Sequence, residues 1–198
     1  MSPLSRRRTL TLTGAGLATA VSGCLGTLES DRDGTNPDAN QPVDGSGELG
    51  SPADAVEVRV TSSPYPQFMP TIVHVTVDGT VTWANDDGRH DVTSYHPDTY
   101  GPQRIPEDAD PWASSQLRLE GDTFERTFDI EGVYDYVDTR HVCTSHEVAG
   151  GIGRVVVGWP DPETELGLAA PQPALPTRAQ EGLERFNDET IPVLEAGP

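Results

Sequence analysis

Short apolar runs rich in β-branched residues recur along the middle of the chain, and turn-forming residues separate them. In residues 56–60, apolar and charged side chains alternate, which is the period of a half-buried strand. Asp78-Gly79 predicts a turn between the runs 72–77 and 80–83. Further runs follow at 90–95, 123–130, 133–137 and 152–158. Strands of this number and length predict an all-β fold, an antiparallel sandwich built as one domain.

Two stretches lack the strand pattern. Residues 96–119 contain four prolines, which predict a long loop. The four are Pro97, Pro102, Pro106 and Pro111. Residues 161–198 are predicted to form a Pro-rich connector and a short amphipathic helix, whose start is indicated by a capping box from Thr177 to Gln180. We expect the helix to pack on its own domain.

A targeting segment is predicted at the N-terminus. Three adjacent arginines, 6–8, precede a weakly apolar run, 11–21, that is too short to span a bilayer. The arginines resemble a twin-arginine export signal, and the small residues before Cys24 resemble a lipobox. We therefore predict a lipoprotein signal over residues 1–23 and lipidation of Cys24. The protein would be exported, anchored to the membrane and facing the cell exterior.

Composition separates a tether from the folded domain. Residues 24–54 are rich in Asp, Gly, Ser, Asn and Pro and contain few large apolar side chains. Such a segment cannot bury enough apolar surface to offset the entropy lost on ordering, so we predict a flexible tether. The β-sandwich domain is expected to span residues 55–160.

Acidic residues dominate the charge of the chain. It contains 32 Asp and Glu residues against 13 Lys and Arg residues, which gives a formal net charge of −19 at pH 7. Binding to nucleic acid requires clustered basic residues, so nucleic acid is excluded as a partner. The same surplus opposes electrostatic docking on anionic lipid, and it suits a surface that must stay hydrated at high salt.

The two cysteines of the chain are Cys24 and Cys143. If Cys24 carries a lipid, Cys143 is a free thiol in an exported protein, which implies a metal or a buried core position. Two residues separate Cys143 from His146, and a strongly β-forming run follows. A thiolate and an imidazole from one loop, with an imidazole from elsewhere in the chain, form the His₂Cys set that suits copper. His90 is the natural third member.

Together with several apolar positions, these residues resemble the plastocyanin and halocyanin branch of the blue copper proteins over residues 56–158. The matching segments are Phe68-Met69-Pro70, Gly79-Thr80-Val81-Thr82-Trp83-Ala84-Asn85, His90, Cys143-x-x-His146 and Gly151-Ile152-Gly153-Arg154-Val155-Val156-Val157. The resemblance implies a Greek-key cupredoxin sandwich in which His90, Cys143 and His146 hold one copper ion as Cu(I) or Cu(II). It also implies a monomeric one-electron carrier between membrane-bound redox proteins, and not an enzyme.

Two departures from the family pattern concern the metal. The family usually places an axial Met five residues after the second His, whereas this chain has Gly151 there, so the axial position lacks a side-chain ligand. Residues 137–142 lengthen the segment before the cysteine. Asp138 or His141 is therefore expected to approach the ion, and His141 is a possible extra ligand. Met69 is expected to point away from the interior because strand alternation sets it opposite Phe68.

Other roles remain open at this point. The missing axial Met also suits copper storage, delivery or sensing, or a cupredoxin that has lost its electron-transfer role. An oxidase with several coppers is not supported, because no His flanks Cys143 on either side. Of the remaining histidines, His74 is predicted to lie at the surface or on an edge, and His96 to cap the long loop. Trp83 is predicted to lie in the core.

Overall fold

Seven strands and one α-helix form the described part of the chain, residues 45–141 and 151–198 of a computed structural model. These residues belong to one compact unit, 40–198. The strands are β1 (Ala53–Thr61), β2 (Gln67–Met69), β3 (Ile72–Asn85), β4 (Thr93–Ser94), β5 (Thr123–Phe128), β6 (Gly132–Val137) and β7 (Ile152–Val157). The α-helix is α1 (Thr177–Ala196), and short 3₁₀ turns lie at Thr139–His141 and Leu166–Leu168.

The predicted Greek-key sandwich is confirmed, with a mixture of strand directions. The strands are hydrogen-bonded in the order β2-β1-β3-β7-β6-β4, and β5 pairs with β3. β3 is parallel to β1 and to β7, whereas the other pairs are antiparallel. The expectation of a purely antiparallel sandwich is therefore wrong. A period of two shows which side chains share a face, but it carries no information on the direction of the neighbouring strand.

β3 pairs with different strands along its length. Residues 72–75 pair with β7, and residues 79–84 pair with β5. The partner changes around Asp78, whose φ of 65° is one that Asp tolerates better than most residues. The predicted turn at Asp78-Gly79 is therefore wrong, because the chain bends there without reversing. The two predicted runs form one long strand.

The main core is rich in aromatic side chains. Trp83 is fully buried, as predicted, and its ring lies 5.3 Å from that of Tyr136 and 5.5 Å from that of Phe124. Alternation along β2 buries Phe68 and leaves Met69 41 % exposed, which confirms the predicted direction of both side chains. Large rings that meet edge to face stabilise the core beyond the area they bury.

α1 covers a second core on the opposite face of β6 and β7. Val133 and Val137 of β6 point away from the aromatic core and pack in one cluster with Leu183 and Phe186 of the helix. The helix therefore packs on its own domain, as expected. Its buried residues recur along one side of the helix, which explains the intermittent apolar stripe in the sequence.

The capping box predicted at the start of α1 does not form. The residue at the N-cap position is Pro176, and no side chain caps the helix. Thr177 lies inside the first turn, one residue beyond the position from which its hydroxyl could cap. The side-chain amide of Gln180 instead donates to the carbonyl oxygen of Leu175 over 2.7 Å.

The described end of the predicted tether, residues 45–54, contacts the sandwich. The backbone amide of His74 donates to the carbonyl oxygen of Gly47 over 2.9 Å, and Leu49 packs against the second core. The remainder of the predicted tether and the predicted signal, with Cys24, lie outside the described residues. Across residues 45–141 and 151–198, no helix combines the length and the apolar character needed to cross a bilayer.

Candidate metal centre

His90 is fully buried in the segment between β3 and β4. Its backbone forms two hydrogen bonds with Leu117, of 3.0 and 2.9 Å, which attach it to the long loop. The turn before it is attached to the end of β1, because the carboxylate of Asp87 accepts a hydrogen bond from the backbone amide of Ser62. Gly88 in this turn has a φ of 84°, a value that favours glycine. The turn thereby brings the His90 ring against the end of β1.

The His90 ring lies between oxygen atoms on both sides. Nε2 is 2.8 Å from the carbonyl oxygen of Asp87 and 3.1 Å from Oγ of Ser62. Nδ1 is 2.6 Å from Oδ2 of Asp138, whose side chain is only 2 % exposed. A carbonyl oxygen and a carboxylate both accept hydrogen bonds, so each ring nitrogen has an acceptor within hydrogen-bonding distance.

This environment can orient an imidazole for metal binding. Nδ1 contacts Oδ2 of Asp138 at 2.6 Å, the length of a charge-assisted hydrogen bond, and Nε2 contacts the carbonyl oxygen of Asp87 at 2.8 Å. Metal-bound histidines commonly donate their other ring N–H to a carbonyl or carboxylate oxygen. Each nitrogen of the His90 ring has such an oxygen beside it, and imidazole is a donor that suits copper.

Asp138 follows β6 directly, and backbone groups hold its carboxylate. Oδ1 accepts hydrogen bonds from the backbone amides of Asp91, over 3.2 Å, and Arg140, over 3.0 Å. The amide of Asp138 donates to the carbonyl oxygen of Gly151 over 2.9 Å. The described part of the lengthened segment before the cysteine therefore turns back beside His90, and Asp138 contacts that ring.

The predicted ligands Cys143 and His146 lie within residues 142–150, outside the described parts of the chain. The side chain of His141, the possible extra ligand, is also outside them. All three assignments stay predictions. Over the described ranges, no three His, Cys, Asp or Glu side chains are grouped so that they could hold a metal.

Described residues flank that segment on both sides, and they lie beside His90. The 3₁₀ turn Thr139–His141 precedes the segment, and Gly151 follows it. Asp138 contacts the His90 ring and is hydrogen-bonded to Gly151. The described residues on either side of the segment therefore lie near the ring. Gly151 offers only its backbone there.

His74 is buried, and the predicted surface or edge position is wrong. Its Nε2 lies 2.6 Å from the carbonyl oxygen of Gly158, and its Nδ1 accepts a hydrogen bond from the amide of Gly50 over 3.0 Å. Burial lowers the pKa of His74 although the bond to Gly158 opposes that shift. The side chain is covered by β7, which pairs with β3 at this point, and by the residues ahead of β1. His96 accepts a hydrogen bond from the amide of Asp98, as predicted for a loop cap.

Sequence reasoning did not identify the buried charges of Arg104, Asp135 and Arg154. Asp135 lies 2.8 Å from Nε of Arg104 and 2.7 Å from Nε of Arg154, and all three side chains are fully buried. The sequence did hold a signal of this cluster: one charged residue lies among the apolar residues of β6, and another lies among those of β7. Ser62 and Asp87 were also missed as partners of His90, because nothing in their local sequence indicates them.

Comparison with known proteins agrees with this architecture. No family model matches the chain. Halocyanin from Natronomonas pharaonis is 39 % identical over 92 residues, which are 46 % of this chain and 47 % of that protein. The chain thus spans about half the length of the curated relative it matches.

Among solved structures, the match to a pseudoazurin agrees with this fold. The pseudoazurin of Methylobacterium extorquens AM1 matches 68 % of this chain and 98 % of its own, with 20 % identity and a TM-score of 0.51. A purple cupredoxin from Nitrosopumilus maritimus matches 52 % of this chain and 99 % of its own, with 26 % identity and a TM-score of 0.38. The chain is thus similar in sequence to a halocyanin over about half its length, and it has the cupredoxin fold of the pseudoazurin.

Proposed function

We propose that this protein binds one copper ion and carries single electrons, and that it is not an enzyme. The observation that carries the proposal is the His90 ring, which is buried in a cupredoxin sandwich with Nε2 held by a backbone carbonyl and Nδ1 directed at a carboxylate. The halocyanin-like sequence supports the same role. When bound, copper would supply the one-electron chemistry through Cu(I) and Cu(II).

Three side chains would hold the ion: His90 through a ring nitrogen, Cys143 through its thiolate, and His146. The chain itself would contribute rigidity. The two backbone hydrogen bonds to Leu117 and the contacts of Nε2 fix the His90 ring before any metal arrives. A preorganised donor changes little between the two oxidation states, and its burial keeps bulk water from the site.

The cellular setting is part of the same proposal. A lipid on Cys24 would anchor the protein at the outer face of the membrane, where membrane-bound redox proteins would exchange electrons with it. The surplus of acidic residues supports a hydrated, monomeric protein that does not bind nucleic acid. Release of a Cys24→Ser variant from the membrane fraction would test the anchor, and retention of that variant after salt extraction would contradict it.

A metal analysis with a visible spectrum tests the central claim. The purified chain, refolded with copper, is expected to bind one ion and to show the intense absorption that arises when a thiolate donates charge to Cu(II). Cys143→Ser should lose that band even if some copper stays bound, and His90→Ala should weaken binding. His96→Ala is the matched control, because His96 caps a loop and should leave the band unchanged. Absence of copper from the wild-type chain would refute the proposal.

A copper-handling role is the alternative, and Gly151 is the observation that favours it. The electron carriers that this chain resembles usually have a Met at the axial position, whereas Gly151 supplies no side chain there. Storage, delivery or sensing predicts tight and colourless binding of Cu(I). Electron transfer predicts a coloured form that is reduced and reoxidised reversibly, so a redox titration followed by absorption separates the two roles.

A further inference from the structure

One buried histidine attaches the residues ahead of β1 to the sandwich. The backbone amide of His74 donates to the carbonyl oxygen of Gly47 over 2.9 Å, and Nδ1 of its ring accepts a hydrogen bond from the amide of Gly50 over 3.0 Å. Within residues 45–141 and 151–198, these are the two hydrogen bonds that join residues 45–51 to the rest of the fold. The polar attachment of this segment therefore depends on His74.

We propose that His74 is a pH-sensitive switch: a proton on Nδ1 releases residues 45–51 from the sandwich while the sheet stays folded. The inference goes beyond the proposed function and does not depend on it. The switch consists of β3, the residue that follows β7 and the segment ahead of β1, and it involves no predicted copper ligand.

The ring makes one hydrogen bond that survives protonation and one that does not. Nε2 lies 2.6 Å from the carbonyl oxygen of Gly158, which can only accept, so Nε2 carries the hydrogen of the neutral ring. Nδ1 faces the amide N–H of Gly50 and holds its lone pair there. A proton on Nδ1 would set two N–H groups against each other. Protonation therefore breaks the bond to Gly50 and keeps the bond to Gly158.

The surroundings of the ring favour opening over a buried charge. The ring is fully buried and packs edge to face on Trp159. The neighbouring elements carry five exposed acidic residues and one buried arginine, which is paired with Asp135. They are Glu48, Asp78, Glu131, Asp161, Glu189 and Arg154. Among the described residues, no ion pair includes His74. Release of the segment would give the imidazolium access to water, which lowers its free energy.

The segment has few other attachments. Leu49 is partly buried against the second core, and the remaining hydrogen bonds of residues 45–51 lie within the segment. Pairing with the sheet begins at Ala53, opposite Val75, so opening can end there. Segments with few buried contacts open at a small fraction of the global free energy. Seven released residues would lengthen the connection to the residues before 45 by up to about 25 Å.

Amide hydrogen exchange of the full-length chain tests the switch, with protection factors that correct for the intrinsic pH dependence of exchange. As the pH falls from 6.5, the ordinary pKa of histidine, toward the lowered pKa of His74, protection of Gly50 should fall by up to about 10-fold per pH unit. The amides of β3 and β7 should stay protected. In His74→Gln the decrease should be absent, because glutamine does not titrate.

His96→Gln is the matched control, because Nδ1 of His96 also accepts a hydrogen bond from a backbone amide, that of Asp98, but does not contact residues 45–51. This variant should behave as the wild type. An equal decrease in His74→Gln and the wild type would overturn the inference. Simultaneous loss of protection in β3 and β7 would also overturn it, because the sheet would then unfold with the segment.

A measurement on the wild-type chain does not depend on folding of a variant. Nuclear magnetic resonance of the metal-free chain, with ¹⁵N in the histidine rings, should show the hydrogen on Nε2 of His74 at pH 7.5. On acidification, the Nδ1 signal and the amide signal of Gly50 should change with one midpoint. A hydrogen on Nδ1 at pH 7.5, or a Gly50 amide that stays protected after the ring is protonated, would contradict the switch.

Discussion

The orientation of the His90 ring depends on a turn with no room for an added side chain. Gly88 has a φ of 84°, and a Cβ there would collide with Oγ of Ser62 and lie 2.9 Å from Nε2 of His90. The same Nε2 contacts the carbonyl oxygen of Asp87. At the scale of one residue, glycine therefore permits both the backbone conformation and the close approach that hold the His90 ring in this orientation.

Gly88→Ala should weaken copper binding by displacing the His90 ring. The control is Gly121→Ala, because Gly121 has a nearly identical φ of 85° but nothing within 4 Å of an added Cβ. Both variants should lose about 1–2 kcal/mol of stability from the left-handed backbone conformation. Only Gly88→Ala should also lower the affinity for copper, measured by metal titration. Equal copper affinities in the two variants would contradict the role given to this turn.

The elements of the C-terminal part are joined to the sheet by buried charges. Arg154 of β7 contacts Asp135 of β6 and also donates to Oδ1 of Asn187 over 2.8 Å and to Oγ1 of Thr190 over 3.1 Å, both in α1. Arg104 from the long loop contacts the same aspartate. Apolar packing alone leaves the rotation of a helix loosely defined, whereas these hydrogen bonds define how α1 lies on β6 and β7.

Asp135→Asn should destabilise the fold strongly. The substitution leaves two guanidinium groups buried without a negative charge, and breaking a buried ion pair in this way costs about 3–5 kcal/mol. The free energy of unfolding in urea, with α1 followed by far-ultraviolet circular dichroism, measures the effect. Asp129→Asn is the control at an exposed position and should stay within about 0.5 kcal/mol of the wild type. A similarly small change for Asp135→Asn would show that the cluster contributes no stability.

Over the whole molecule, segments that are distant in sequence meet at His74. The ring accepts a hydrogen bond from Gly50 ahead of β1, contacts the carbonyl oxygen of Gly158 after β7, and packs edge to face on Trp159 with 5.0 Å between ring centres. Protonation of Nδ1 would remove the bond to Gly50. Because desolvation lowers the pKa of His74, the folded state favours the neutral ring.

Stability should therefore depend on pH through His74. Its contribution is complete above the ordinary pKa of 6.5 and is lost as the pH falls from there toward the lowered pKa of the folded state. Carboxylates also titrate on acidification, so the effect must be measured as a difference between proteins. We expect the unfolding free energy of the wild type to fall more steeply between pH 7.5 and 5 than that of His74→Gln. His96→Gln should follow the wild type, and parallel curves for all three would contradict the prediction.

The elements of this fold could be predicted from sequence because their signals are local. Alternation identified the strands and the opposite directions of Phe68 and Met69, and an apolar stripe identified α1. The motif that ends at His146 carried the resemblance to the blue copper proteins and directed attention to His90. These inferences depend on the periods of strands and helices and on short ligand spacings, which every stretch of chain carries in itself.

Tertiary structure alone decided the surroundings of each buried polar side chain. The sequence does not show that Asp138 meets Nδ1 of His90, which lies 48 residues earlier, nor that β7 and the residues ahead of β1 cover His74. It also does not show that the Asp78-Gly79 bend leads from one partner strand to another. The hydrogen bonds and the burial of these side chains depend on which groups the order and direction of the strands bring together. No local pattern specifies the order or the direction of strands, because the side-chain period is the same for parallel and antiparallel neighbours.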